Sequence, residues 1–179
     1  RMVFLISDFL NVSRIKTGKF VIEPKGVNLS DMVKEELVQL NEMAESKNLK
    51  MVYESPADFP LVKLDENKMH QVMMNMMDNA IYYTPNEGTI TIQLYVDGSD
   101  VVFKVIDTGI GVPKSEQHKL FTKFFRAGNA RKTRRDGTGL GLFIAQKVIV
   151  AQNGSIIFES IEGKGSTFGF RFPLAAIKS

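Results

Sequence analysis

Asp107-Thr108-Gly109-Ile110-Gly111 and Gly137-Thr138-Gly139-Leu140-Gly141 decide how this chain is read. Gly109 and Gly111 let a backbone turn close against a base and ribose. Gly137, Gly139 and Gly141 lead into a helix predicted over 138–152, whose first-turn N–H groups are free to hold phosphate oxygens. Neither segment is a P-loop, because the Gly-Lys-Ser/Thr ending is absent. Nor is the second a dinucleotide fingerprint: it follows no strand, and its third glycine comes one position early. Residues 112–137 hold eight basic side chains (Lys114, Lys119, Lys123, Arg126, Arg131, Lys132, Arg134, Arg135) against Glu116 and Asp136, while the rest of the chain carries 15 basic and 18 acidic residues. A local positive stretch on a mildly acidic body suits a polyphosphate and argues against a nucleic-acid track.

Upstream, Ile90, Ile92, Leu94 and Val96 alternate with polar residues, Asp97-Gly98 turns, and 101–107 returns, which predicts a hairpin. In the return strand Lys104 takes the even face, so Asp107 points inward with Val101, Phe103 and Val105. An inward carboxylate needs a partner, since burial of an unpaired one costs several kcal/mol. Two roles fit. It can hold the turn that follows by accepting backbone N–H bonds, or it can accept the exocyclic amine of adenine, a donor guanine lacks at that position. Ser166 shares the inward parity of Phe168, Phe170 and Phe172, and could bridge Asp107 to a ring nitrogen through a water.

A helix is predicted over 66–83, capped by Asp65 and stopped by Pro85. Its apolar face is Met69, Val72, Met73, Met76, Met77 and Ala80, with the methionines as core filler. Asn75 and Asn79 stand at i and i+4 and so share a face. Asparagine is a poor mid-helix residue, and the pair costs roughly 1 kcal/mol relative to good helix formers. Their amide oxygens suit Mg²⁺, which takes few protein ligands when phosphates supply the rest.

The remaining pattern gives a helix over 2–16 (Met2, Leu5, Ile6, Phe9, Val12 and Ile15, widened by Phe4 and Leu10). It is read either as packed on the domain or as a piece of a helical bundle. A helix from a Ser30 cap to about Lys47, strands near 49–54 and 61–64, and closing strands at 155–161 and 166–172 complete it. The expected fold is α/β: a two-layer sandwich with a mixed sheet of about five strands covered on one face by three helices. At 179 residues the chain fits one domain plus a short appendage. Zero cysteines exclude a disulfide scaffold, the two histidines (His70, His118) are far apart, and no run approaches a membrane-spanning length. Arg1 rather than Met opens the chain, which is therefore read as a fragment.

Taken together, these segments resemble the ATP-binding domain of bacterial sensor histidine kinases, in the superfamily (Bergerat fold) that includes gyrase, Hsp90 and MutL. Asn75-Met-Met-Asp-Asn79-Ala80-Ile-Tyr-Tyr-Thr84-Pro85 looks like the family's asparagine box, and Asp107 to Gly111 its first glycine box. Phe121-Thr-Lys-Phe-Phe125-Arg126 looks like its phenylalanine box, Gly137 to Gly141 its second glycine box, and Gly163-Lys-Gly165-Ser166-Thr-Phe168 its closing strand. Five ordered motifs across 28–174 make the likeness specific. Residues 1–18 resemble the end of the second dimerisation helix, with 19–27 as a linker.

The resemblance implies ATP or ADP with Mg²⁺, bound between the helices and a lid at 112–137. Asn79, helped by Asn75, would hold the metal. Asn75, Asn79 and Arg126 would carry catalysis, with Arg126 on the terminal phosphate or steadying the lid. The implied cofactor contacts are Asn79, Tyr82, Tyr83, Asp107, Gly109, Gly111, Lys123, Arg126, Gly137, Thr138, Gly139, Leu140, Gly141 and Ser166. Phe121, Phe124 and Phe125 would close the lid against the core. Implied partners are the phosphoacceptor (dimerisation) domain of a homodimeric parent and a cognate response regulator. The resemblance makes the fragment soluble and cytoplasmic, and its parent a sensor at the bacterial cell membrane.

Two departures stand out. The family usually has a lysine where this chain has Tyr82, so a basic lid residue, Lys123 or Arg126, is expected to replace it. The phosphoacceptor histidine, followed by an acid, is expected before residue 1, because His70 precedes Gln71 and His118 precedes Lys119. The alternative is an ATPase or serine kinase of the same superfamily. An ATPase would want a water-activating glutamate near Asn79, where the nearest acids are Asp78 and the distant Glu66.

Overall fold

The computed structural model describes residues 2–178, with side chains described from Ile6 onward. The predicted stripe positions Met2, Phe4 and Leu5 thus lie outside the described side chains. The elements are α1 (Met2–Lys16), β1 (Lys25–Val27), α2 (Leu29–Ser46), β2 (Lys50–Tyr53), β3 (Val62–Leu64), α3 (Glu66–Tyr83), β4 (Thr89–Asp97) and β5 (Asp100–Asp107). After a 3₁₀ turn at Lys114–Lys119 come α4 (Gly128–Thr133), α5 (Gly141–Ala151), β6 (Ser155–Ile161), β7 (Gly165–Pro173) and α6 (Leu174–Ile177).

Five strands form one mixed sheet in the order β2-β4-β5-β7-β6; β2 runs parallel to β4 and the other pairs are antiparallel. The hairpin register sets Ile90 opposite Asp107, Ile92 opposite Val105 and Leu94 opposite Phe103. β7 keeps that parity, with Phe172 opposite Val101, Phe170 opposite Phe103 and Ser166 opposite Asp107. Phe103 and Phe170 stack at 4.9 Å between ring centroids. Each such side chain stabilises by about 1.5–3 kcal/mol on burial. Ile90, Ile92 and Leu94 are buried, while Thr91, Gln93 and Tyr95 on the opposite face are exposed or half-buried. The helices α2, α3 and α5 pack on the first face, as expected.

α3 has the predicted bounds. Asp65 accepts from the Lys68 N–H at 3.1 Å, and the Thr84 hydroxyl donates to the Ala80 carbonyl at 2.6 Å before Pro85. The methionine face is buried. With no basic residue in its last turn, α3 is closed by Lys47 at the end of α2, whose Nζ donates to the carbonyls of Ile81 (2.7 Å) and Tyr82 (3.1 Å). Burial pushes the Lys47 pKa down.

Three local expectations are corrected. The cap of α2 is Asn28 and not Ser30: its Oδ1 accepts from the N–H groups of Ser30 (2.9 Å) and Asp31 (3.2 Å), while the Ser30 hydroxyl pairs with Tyr53 and Ser55. The 19–27 linker contains a strand, β1, antiparallel to β3, and the Glu23 N–H donates to Asp65 at 2.9 Å. α5 begins at Gly141 and not at 138, because Gly139 has a φ of +73°. In α1, Val12 and Ile15 pack on the core while Ile6, Phe9 and Leu10 stay exposed. No helix among the described residues is long and apolar enough to cross a membrane.

Candidate nucleotide site

Asp107 ends β5 between β4 and β7 and is 8% exposed. Its Oδ1 accepts two backbone N–H groups, Gly109 at 2.8 Å and Ser166 at 3.2 Å. Burial pushes its carboxyl pKa up, and the two N–H bonds partly oppose that. Both bonds fall on one oxygen, so Oδ1 holds the turn while Oδ2 is left for a ligand. The Ser166 hydroxyl is paired with Ser160 Oγ at 2.8 Å, and Ser160 also accepts the Val112 N–H. Ser166 therefore reaches Asp107 through its backbone. The Ile110 N–H donates to the Tyr83 carbonyl at 3.1 Å, which ties this glycine turn to the end of α3.

At the other end, α5 starts without a side-chain cap. Its first intrahelical bond runs from the Ile144 N–H to the Leu140 carbonyl, so the N–H groups of Gly141, Leu142 and Phe143 precede the ladder. Thr138 Oγ1 accepts the Leu140 N–H at 3.2 Å, and its side chain also bonds Asp8 of α1, whose carboxyl burial pushes up. A Cβ on Gly141 would collide with the Asn75 amide, so glycine lets the helix start meet α3 directly. Gly139 is equally confined, its missing Cβ falling 2.6 Å from the Phe124 carbonyl carbon. Asn79 Nδ2 donates to Asn75 Oδ1 at 3.2 Å, which fixes both amides and turns Asn79 Oδ1 into the uncommitted hard oxygen. Of the two carboxamide oxygens on this face, that of Asn75 is the committed one.

Residues 112–137 pack through Val112, Leu120 and Ala127, with Phe121, Phe125, Leu142, Phe158 and Phe168 around them. Phe121 meets Phe158 edge-on at 5.9 Å. The Arg126 guanidinium donates to the carbonyls of Ala130, Arg134 and Arg135.

The family described as histidine kinase-, DNA gyrase B-, and HSP90-like ATPase matches residues 64–176. The chain belongs to that ATPase family. It is 36% identical over 171 residues to the adaptive-response sensory kinase SasA of Crocosphaera subtropica, covering 95% of this chain and 44% of that one. It is 31% identical to the sensor histidine kinase WalK of Bacillus subtilis, covering 97% of this chain and 28% of WalK. The chain thus spans less than half the length of these curated relatives. Among solved structures, the catalytic domain of the histidine kinase ThkA superposes with a TM-score of 0.73 at 30% identity, over 84% of this chain and 95% of that one. Full-length ShkA, solved with AMPPNP, superposes with a TM-score of 0.81 over 99% of this chain and 36% of that one; at 24% identity it speaks to the fold.

The residues expected at this site fall into two groups. Asp107, Gly109, Gly111 and Ser166 gather at one end, and Asn75, Asn79 and Gly137 to Gly141 at the other. Phe124 does not join Phe121 and Phe125; it is 58% exposed, has a φ of +61°, and its ring lies 6.3 Å from Phe9 of α1. Lys123 sits over Phe143 at 5.4 Å. Arg126 bonds the carbonyls of its own segment. Arg134, not singled out from the sequence, lies 4.3 Å over the Tyr82 ring. Tyr83 lies beside Tyr82 at 6.0 Å and acts through its carbonyl. His70 pairs with Glu36 at 2.8 Å and Glu35 at 3.5 Å, pinning α3 to α2, which fits a packing role.

Proposed function

We propose that this chain is the ATP-binding catalytic domain of a sensor histidine kinase. The carrying observation is the division of labour just described. A buried carboxylate has one oxygen, Oδ2, outside its backbone bonds, while an uncapped helix start meets the Asn75 amide, which Asn79 in turn holds. Asp107 accepts the adenine amine. The α5 N–H groups hold the phosphates, and 112–137 acts as the lid. Asn79 Oδ1, a hard oxygen one helical turn from the Asn75 amide that meets Gly141, fits Mg²⁺; when bound, the ion would neutralise phosphate charge. The imidazole nitrogen of a histidine on the dimerisation domain attacks the γ-phosphorus, the bond to the β,γ-bridging oxygen breaks, and ADP leaves. The phosphoryl group then passes to a response-regulator aspartate. Such transfer is positioning plus charge stabilisation, which is what this site's residues supply. The parent kinase is read as a homodimer at the bacterial cell membrane with this domain on the cytoplasmic side.

The water-activating alternative finds no glutamate at Asn79. Glu66 pairs with Lys25 at the far end of α3, and Asp78 faces Arg134. The test mixes this chain and γ-labelled ATP with a separately made dimerisation domain bearing its histidine. Acid-labile label on that histidine is expected, with a loss of about a hundredfold or more on Asn79→Ala. Free phosphate release without histidine labelling would favour the ATPase reading. Labelling unchanged by Asn79→Ala would make that helix face structural.

A further inference from the structure

At about 100° per residue, Asn75, Asn79 and Tyr82 lie within roughly 60° of one another on α3. This face is the one that meets the start of α5. Between 75 and 82 α3 carries one charged residue, Asp78, and it is negative. A triphosphate laid here meets only the helix start and a carboxylate, unless a cation comes from elsewhere.

The 112–137 segment supplies one. Of its eight basic residues, Lys114, Lys119, Lys123, Arg131, Lys132 and Arg135 are exposed. Arg126 spends its guanidinium on carbonyls of its own segment, including that of Arg134. Arg134 docks on α3: its guanidinium lies 4.3 Å over Tyr82, its Nη1 stands 3.5 Å from Asp78 Oδ2, and its side chain is 18% exposed. Its Nε, 3.4 Å from Asp136 Oδ1, is buried and makes no hydrogen bond. Stacking on a ring leaves a guanidinium's donor edge open for a planar or tetrahedral oxyanion. The Asp78 contact is long, so a phosphate oxygen can take its place while the ring contact persists.

We propose that Arg134, seated on Tyr82 and held through its backbone by Arg126, is the phosphate-binding cation of this site. Asp78 holds the guanidinium when no phosphate is there and yields it when nucleotide binds. This rests on the nucleotide reading above. Arg126 is then a positioning residue for Arg134.

The test is binding of Mg²⁺-ATP by calorimetry and of adenosine by NMR titration, on the whole chain. Arg134→Ala should weaken ATP by about tenfold, the scale of one charge-assisted hydrogen bond, and leave adenosine within twofold. Lys132→Ala, which removes the same charge from an exposed position, should leave ATP within twofold. Tyr82→Lys added to Arg134→Ala should recover most of the loss, because the ammonium then rises from the same helix face. ATP affinity unchanged by Arg134→Ala would overturn the proposal, as would an equal loss for adenosine or an equal loss from Lys132→Ala. A wild-type chain that binds no ATP would instead overturn the nucleotide reading itself.

Discussion

The two ends of the proposed nucleotide site are built in opposite ways. The base end is made by β-sheet register: Asp107 on β5 faces Ser166 on β7, and two backbone N–H groups fix the carboxylate. The phosphate end is assembled from separate pieces: the α3 face, the start of α5, and a basic segment whose cations are mostly exposed. Recognition of a neutral ring rewards a rigid acceptor, since a buried misfit leaves polar groups unpaired. Recognition of a charged chain that must later be released works with helix N–H groups and side chains that exchange partners.

The comparison can be broken most sharply at Gly141. Gly141→Ala places a methyl where Asn75 sits. We expect Mg²⁺-ATP affinity to fall by tenfold or more and stability by about 1–3 kcal/mol, the usual scale of overpacking. Adenosine binding should stay within threefold. Equal loss for both ligands in titration would show that the two ends are not independent.

A smaller effect sharpens the base end. Burial raises the Asp107 pKa, so its carboxyl takes up a proton at a higher pH than an ordinary aspartate. The sign follows: this group stabilises the fold at low pH, and that contribution is lost as pH rises through the raised value. Adenine recognition runs the other way, because the ionised acid is the better acceptor. Adenosine affinity should therefore climb several-fold as pH rises through that raised value, and hold level above it. Asp107→Asn should flatten that profile. A profile unchanged in the variant would assign the titration to another group.

Smaller again is the aromatic contact between α1 and the 112–137 segment. Phe124→Ala removes an exposed ring from Phe9. Stability in denaturant should change by no more than about 0.5 kcal/mol, as for most surface changes. A loss above about 2 kcal/mol would make this ring part of the fold.

The base end was legible in the sequence because strand parity is strict: once Lys104 faces out, Asp107 and Ser166 must face in. The bounds of α3 were legible for a similar reason, with Asp65 and Pro85 acting at single positions. Arg134 was not. One of eight basic residues in an irregular segment has no period to mark it, and the clue lay on α3, where Tyr82 offers a ring and no charge. The start of α5 was missed by three residues because the left-handed φ of Gly139 is invisible in the sequence. Ser30 and Asn28 are both good caps two residues apart, and only the Tyr53 and Ser55 contacts of Ser30 separate them. The three residues of β1 are too few to show alternation.

The central claim is that Asp107 divides its two oxygens between the turn and an adenine. Calorimetry of Asp107→Asn with Mg²⁺-ATP, paired with thermal unfolding at pH 7, tests it most directly. The Asn oxygen can still accept from Gly109 and Ser166, so the melting temperature should hold or rise. Its amide nitrogen cannot accept an amine, so ATP affinity should fall by about 1–3 kcal/mol, and wild type should bind GTP far more weakly than ATP. Unchanged ATP affinity in the variant, or equal ATP and GTP affinity in wild type, would contradict the account.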